Sequence, residues 1–335
     1  MADGGEWQRI AAVAAALGRA GRGGGVAWGI GDDAAVLRPR PGYDLLVTQD
    51  ALVEDVHFRR RWTTAEDLAH KVLAVSVSDI AAMGGRPRFA LVALALPPDV
   101  DLAWSEAFGR GLAAAARRFR LAVVGGDTVR SPGPLVADGV VLGEVGRGRA
   151  RLRAGVRPGD RLVVTGTVGG AGAGLRLLDD PDLARRLPPT LAARARRRLL
   201  RPTPRVAAGR ALAPAAGALV DLSDGLGGAV AALCRSSPVG VRIHADRVPV
   251  DPAAAAVARL LGQDPVDFAL AAGEDYELLA AVAPRRAASL PALSPRAVEV
   301  GEAVDEAGAW LVRPDGSLSP LPGGYDAFAP PSERR

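Results

Sequence analysis

The side chains best suited to chemistry in this sequence are aspartates that stand beside glycine or a hydroxyl residue. They fall in five segments: Gly31-Asp32-Asp33, Thr48-Gln49-Asp50, Ser78-Asp79, Gly125-Gly126-Asp127-Thr128 and Asp221-Leu222-Ser223-Asp224-Gly225. One surface aspartate usually caps a helix; five such segments form a pattern. Asp50, Asp127 and Asp221 each end or closely follow an apolar run, where loops at a sheet edge gather side chains around a cleft. Carboxylates so gathered repel one another unless cations lie between them, and oxygen donors without Cys or His select Mg²⁺ over Zn²⁺. Because Mg²⁺ is commonly held by one or two carboxylates plus substrate phosphates, the pattern points to a bound polyphosphate. Phosphoryl transfer relies on positioning and charge neutralisation, so the presence of only three histidines is no obstacle. His70 lies in a helical run and His244 ends a strand, which reads as structural. His57, in Glu54-Asp55-Val56-His57-Phe58, follows closely on residues 48–50 and is open to either reading, structural or in the cleft.

Holding these segments together requires a mixed layer of strands and helices. Apolar spacing predicts a helix over 7–20, broken by the glycines at 21–25, then a strand at 44–48, a helix at 65–83 and a strand at 88–96. A helix at 101–119 and strands at 121–124 and 136–145 complete an α/β or α+β first half. The basic, turn-rich stretch 149–160 is the expected junction, giving domains 1–148 and 149–329 and a tail 330–335. The second half reads as a strand at 161–165, helices at 191–200 and 204–213, a strand at 218–222, a helix at 225–235 and strands at 239–244 and 276–282. The glycine-rich stretch 166–174 invites a phosphate-loop reading. It has no Gly-Lys-Ser/Thr ending and no acidic residue after a second strand, so it matches neither of the common nucleotide fingerprints.

Composition excludes several classes. Of 335 residues, 49% are hydrophobic and 24% charged, which rules out wholesale disorder. Apolar runs such as 11–17 and 89–96 fall short of the roughly 20 residues a membrane span needs. The one cysteine, Cys234, cannot form an intrachain disulfide, and the first residues lack a basic region followed by an apolar run, so a cytoplasmic setting is expected. A formal charge of +5 with a single lysine, Lys71, argues weakly for nucleic acid, and none is expected as a partner. The arginines at 194–201 read as a solvated helix face.

The aspartate segments lie inside longer strings: GIGDDAAVL (29–37), VTQDALVEDVHF (47–58), KVLAVSVSDIAAMGGRP (71–87), VVGGDT (123–128), RAGVRPGDRLVVTGTVG (153–169), LRPTPR (200–205), DLSDGL (221–226), AAGEDYEL (271–278) and GYDAF (324–328). In this order, over residues 29–328, the sequence resembles the thiamine-monophosphate kinases of the aminoimidazole ribonucleotide synthetase-like superfamily. The resemblance implies a two-domain α/β (α+β) fold whose N-terminal sheet pairs with its copy in a homodimer. It implies ATP and thiamine monophosphate in the cleft between domains, and direct in-line transfer giving ADP and thiamine diphosphate. Carried over by position, Asp33, Thr48, Gln49, Asp50, Asp79, Asp127, Asp221 and Asp224 would hold Mg²⁺. Gly109, Gly126, Asp127, Arg153 and Ser223 would contact ATP, and His57, Glu274 and Pro322 thiamine monophosphate.

Within that expectation Arg153 and His57 position the substrates, and no residue serves as general base. The attacking phosphomonoester is already mostly dianionic at neutral pH. Three positions depart from the family pattern. Gln49 stands where Thr is frequent, so its contact would use the backbone or amide oxygen. Gly109 follows Phe108 where many relatives carry Tyr. Pro322 lies three residues before Tyr325, where an aromatic ring is common, so either Tyr325 or Phe328 would substitute or the pocket is looser. The resemblance also makes the 166–174 stretch a structural turn. Selenophosphate synthetases and hydrogenase-maturation relatives carry reactive cysteines near one terminus, and this chain has neither. A non-catalytic Mg²⁺-nucleotide sensor would have been free to lose a carboxylate.

Overall fold

Alternation along YDLLVTQDALV buries Leu46 and Leu52 and exposes Tyr43, Leu45 and Val47, the period-two pattern of a strand with one packed face. In the computed structural model, which describes residues 6–18, 24–30, 34–287 and 294–325, this strand is one edge of a four-stranded sheet. Two compact units are present: residues up to Ile80 with Gly85–Gly148, and Ala81–Gly84 with the chain from Arg149 onward.

The first unit runs α1 (Glu6–Leu17), β1 (Val26–Trp28), β2 (Val36–Leu37), β3 (Tyr43–Val53), α2 (Ala65–Ala82), β4 (Arg86–Leu96), α3 (Leu102–Phe119), β5 (Ala122–Arg130) and β6 (Val136–Gly146). The sheet order is β3-β6-β4-β5, with β4 and β5 parallel and the other pairs antiparallel. Helix α3 is the crossover that a parallel pair demands. Asp101 starts it by accepting the Trp104 N–H, and Arg120 ends it in the left-handed conformation. Buried Leu68, Val72, Leu73 and Ile80 of α2 supply the packed face. Strands β3 and β5 run past the expected 44–48 and 121–124, because polar and glycine positions keep their ladder pairs, Asp50 with Gly139 and Asp127 with Ala93. The aspartates therefore lie within strands and not in loops beyond them.

The second unit contains β7 (Arg161–Thr165), α4 (Gly170–Asp179), α5 (Pro181–Arg185), α6 (Pro189–Leu200), α7 (Val206–Leu212), β8 (Ala216–Asp221), α8 (Gly225–Ser236), β9 (Gly240–His244), α9 (Pro252–Leu260), α10 (Pro265–Ala271), β10 (Leu278–Val282), α11 (Pro284–Ala287), β11 (Ala297–Val304), β12 (Ala309–Val312) and β13 (Leu318–Pro320). They build a seven-stranded sheet in the order β13-β12-β9-β11-β7-β10-β8. β7, β8 and β10 read as continuous apolar runs because both faces are covered. Leu226, Val230 and Leu233 of α8 pack with Val164, Val220 and Leu279, and Leu212 of α7 with Ala81 packs against Val163, Leu219 and Leu278. No helix among the described residues is long and apolar enough to cross a membrane.

Candidate functional site

Strand periodicity puts Thr48 and Asp50 on the same face of β3 as the buried Leu46 and Leu52. Both side chains thus meet α2. The Thr48 hydroxyl donates a hydrogen bond to Asp79 Oδ2, and the Ser76 hydroxyl donates to the Gly139 carbonyl at 2.9 Å. Burial pushes the Asp50 carboxyl up to about 6, and the neighbouring Asp79 carboxylate, with a smaller contribution from Asp138, adds to the push. Asp50 Oδ2 is buried and has no hydrogen-bond partner. A buried carboxylate oxygen facing a second carboxylate, without a donor, is a costly arrangement that a cation relieves. The donors are all oxygens, which suits a hard divalent ion. Thr48, Asp50 and Asp79 therefore fit Mg²⁺, although no three His, Cys, Asp or Glu side chains among the described residues form a closed cage.

Two other expected ligands, Gln49 and Asp127, stand apart from this trio. The Gln49 side chain lies on the opposite face of β3, donating to both oxygens of Asp138 at 3.0 and 3.1 Å. This corrects the expectation of an amide contact, and leaves only its main chain for a metal. Asp50, Gly139, Val92 and Gly126 stand on one line across the sheet. Asp127 follows Gly126 at the far edge, about 14 Å from Asp50 at three strand spacings. It is exposed, with Oδ1 accepting the Thr128 N–H. Gly126 has to be glycine, since a Cβ there would run into the Val92 carbonyl oxygen. Asp33 lies outside the described residues. Gly109, expected at the nucleotide, instead faces α1: an added Cβ would meet Ala16 Cβ and Val13 Cα, both at 2.9 Å. It lets two helices approach, and its side of α3 has no room for an adenine.

His57 is held by its own turn. Val53 N–H donates to His57 Nδ1 at 3.1 Å, so the neutral ring carries its proton on Nε2. The His57 N–H returns to the Val53 carbonyl, and the buried Lys71 Nζ donates to the His57 carbonyl at 3.1 Å. Glu54 anchors the same turn by accepting from Arg60 Nε and the Leu135 N–H. The tautomer of the ring is thereby fixed.

In the second unit two loops are strapped together. β8 ends at the buried Asp221, and the turn through Ser223 and the exposed Asp224 leads into α8. Against it lies the segment before β10: Glu274 N–H donates to the Ser223 carbonyl at 2.6 Å and Tyr276 N–H to the Leu222 carbonyl at 3.1 Å. The Pro322 carbonyl crowds Gly227 in the first turn of α8, and Tyr325 N–H reaches the Asp224 carbonyl. Pro322 and the exposed Tyr325 are thereby beside Asp224, whereas Phe328 lies outside the described residues. Arg153 is exposed ahead of β7.

Behind these loops lies an ion network that the sequence reading missed. Fully buried Glu277 accepts from Thr165 Oγ1 at 2.8 Å, Arg198 at 2.9 Å and Arg205 Nε at 2.6 Å. Asp275 accepts from Arg198 and from the N–H groups of Gly169 and Ala171, and Arg194 pairs with buried Asp251 at 2.8 Å. The 194–201 arginines are therefore not only a solvated face: Arg198 reaches inward, and Arg194, one helical turn before it, stays exposed while pairing with buried Asp251. Asp275 also fills the start of α4 with the protein's own carboxylate, which makes the glycine-rich stretch a structural turn with no vacancy for phosphate. GEDYEL held Asp275 and Glu277 and LRPTPR held Arg205, but nothing in their local pattern paired them.

Comparison with known proteins follows the same two-part division. Residues 31–145 match the family model of the AIR synthase related protein N-terminal domain, and residues 157–311 that of its C-terminal domain. A thiamine-monophosphate kinase from Caulobacter vibrioides is 37% identical over 300 residues, spanning 86% of this chain and 81% of the relative. The crystal structure of a thiamine-monophosphate kinase from Stenotrophomonas maltophilia superposes with a TM-score of 0.78 at 38% identity, covering 93% of this chain and 96% of that one. AaThiL complexed with AMPPCP and TMP matches with a TM-score of 0.75 at 32% identity, covering 86% and 88%.

Proposed function

The chain belongs to the AIR synthase related family and, within it, to the thiamine-monophosphate kinases, and from that premise we propose that it transfers the γ-phosphoryl group of ATP to thiamine monophosphate. A phosphate oxygen of thiamine monophosphate bonds to the γ-phosphorus in line with the bridging oxygen, which departs on ADP. The observation that carries the reading in this chain is the buried, partnerless Asp50 oxygen set against Asp79. Thr48, Asp50 and Asp79 of the first unit would hold Mg²⁺ together with Asp33 and the Gln49 main chain; Asp127, at the far edge of that sheet, and Asp221 and Asp224 of the second unit are the remaining carboxylates assigned to Mg²⁺. When bound, Mg²⁺ neutralises charge on the two mutually repelling phosphates. Arg153, Gly126 and Ser223 orient ATP, and Glu274 and Pro322 border thiamine monophosphate. The reaction belongs in the cytoplasm. Its first test is ADP formation by purified protein with ATP and Mg²⁺: turnover that requires thiamine monophosphate supports the reading, and turnover indifferent to it does not.

His57 serves as a positioning donor through Nε2–H, since Nδ1 is already taken by the Val53 N–H. His57→Asn is expected to raise the KM for thiamine monophosphate about tenfold, the scale of one charge-assisted hydrogen bond. Its single-turnover rate at saturation should stay within about threefold of wild type and flat above pH 7. A fall on the order of 10³-fold would assign His57 a proton transfer instead.

Homodimerisation through the first unit's sheet is part of the same reading. Edge strand β3 exposes Leu45 at 53% and Val47 at 63%, an apolar edge that soluble proteins normally cover. Light scattering at micromolar concentration should give twice the chain mass; a monomer mass would remove this element.

A further inference from the structure

Asp275 sits between two residues in a backbone conformation that side chains rarely adopt: Glu274 at φ 61° and Tyr276 at φ 51°. Non-glycine residues persist there only where their surroundings over-determine them. The surroundings here are specific. Asp275 is fixed from one side by the N–H groups of Gly169 and Ala171, and from the other by the Arg198 guanidinium at 3.1 Å. Arg198 is itself braced by Glu277 at 2.9 Å and the Thr167 carbonyl at 2.7 Å. Glu274, the residue immediately before Asp275, then has its N–H on the Ser223 carbonyl. Movement of Asp275 has to be transmitted to Glu274, because the two share a peptide unit and Gly273 on the other side packs so closely on the Ser223 carbonyl oxygen that an added Cβ would lie 2.9 Å from it.

We propose that Arg198 and Asp275 form a positioning pair that sets the placement of Glu274 against Ser223, so that an ion pair touching neither substrate determines affinity for thiamine monophosphate. The inference rests on the assignment of Glu274 to that substrate. It distinguishes two roles within one network: Glu277 braces the fold, while Asp275 transmits the position of α6 to the substrate loop.

The test is a double-substitution cycle on the full-length protein, Arg198→Lys with Glu274→Gln, read in the KM for thiamine monophosphate and in kcat. Arg198→Lys keeps the charge but loses the fork that spans Asp275, Glu277 and Thr167. Alone it is expected to raise that KM about tenfold with kcat within about threefold. In the Glu274→Gln background the same substitution should cost less than about twofold, because the residue through which it acts has already been altered. A brace for the fold alone would give equal effects in both backgrounds, and that result would overturn the proposal. If Arg198→Lys does not fold, as judged by circular dichroism, Asp275→Asn takes its place in the same cycle with the same two outcomes. Wild-type protein without turnover dependent on thiamine monophosphate would refute the assigned reaction and the inference with it; wild-type turnover with an additive cycle would refute the inference alone.

Discussion

Asp50→Asn is expected to make the metal-free protein more stable while removing nearly all turnover. Asp50 titrates near 6 in the folded chain against an ordinary value of 3.8, with burial the largest cause and Asp79 the next. The native state thus holds a proton that the unfolded chain has already lost, so stability falls as pH rises from about 4 to about 6 and is level above. A displacement of about two pH units corresponds to a cost on the order of 3 kcal/mol at pH 8. Asn is nearly isosteric and uncharged, and it removes that cost. It also removes a charge that a divalent ion needs, which should lower turnover on the order of 10³-fold. Urea midpoints at pH 4.5 and pH 8 check the first half: the gain should appear at pH 8 and largely vanish at pH 4.5. Unchanged stability at pH 8, or near-wild-type turnover, would contradict the role of Asp50.

Glu277→Ala is expected to cost 3 kcal/mol or more of stability, by about the amount associated with breaking a buried ion pair from one side. Glu277 has no solvent-exposed surface and is the shared acceptor of Arg198, Arg205 and Thr165. Its loss leaves two guanidinium groups facing a void between β10 and α6. A folded domain holds only about 5–15 kcal/mol in all, so the second unit should unfold at much lower denaturant. Glu277→Gln, which keeps the volume and one acceptor oxygen, should lie between. Denaturant unfolding of the three proteins measures the series. A midpoint for Glu277→Ala equal to that of wild type would mean that this network does not hold the sheet to α6.

Residues whose local pattern carries their meaning were legible. Leu46 and the helical spacing of α2 and α3 declare their elements through apolar periodicity. Thr48, Asp50 and Asp79 stood out by chemistry, and the structure brings them together. What stayed hidden depends on neighbours distant in sequence. Gly109 could not be read as a helix contact without knowing that α1 packs on α3. Gln49 was grouped with Thr48 and Asp50, although period two places it on the other face. The carboxylates Asp275 and Glu277 lie roughly 80 residues from Arg198, and no local rule joins them. Helices α9 and α10 were unread although Asp251-Pro252 and Asp264-Pro265 supply an N-cap and a proline at the first helical position; their alanine-rich turns give little contrast between faces.

Phosphorus NMR of the reaction products shows where the γ-phosphoryl group of ATP goes. Purified protein is incubated with equimolar ATP and thiamine monophosphate in the presence of Mg²⁺ until ATP is consumed. The monoester signal of thiamine monophosphate should give way to the paired diphosphate resonances of thiamine diphosphate beside those of ADP, with little inorganic phosphate. Inorganic phosphate and ADP formed beside unchanged thiamine monophosphate would contradict the account, because the γ-phosphoryl group would then have gone to water.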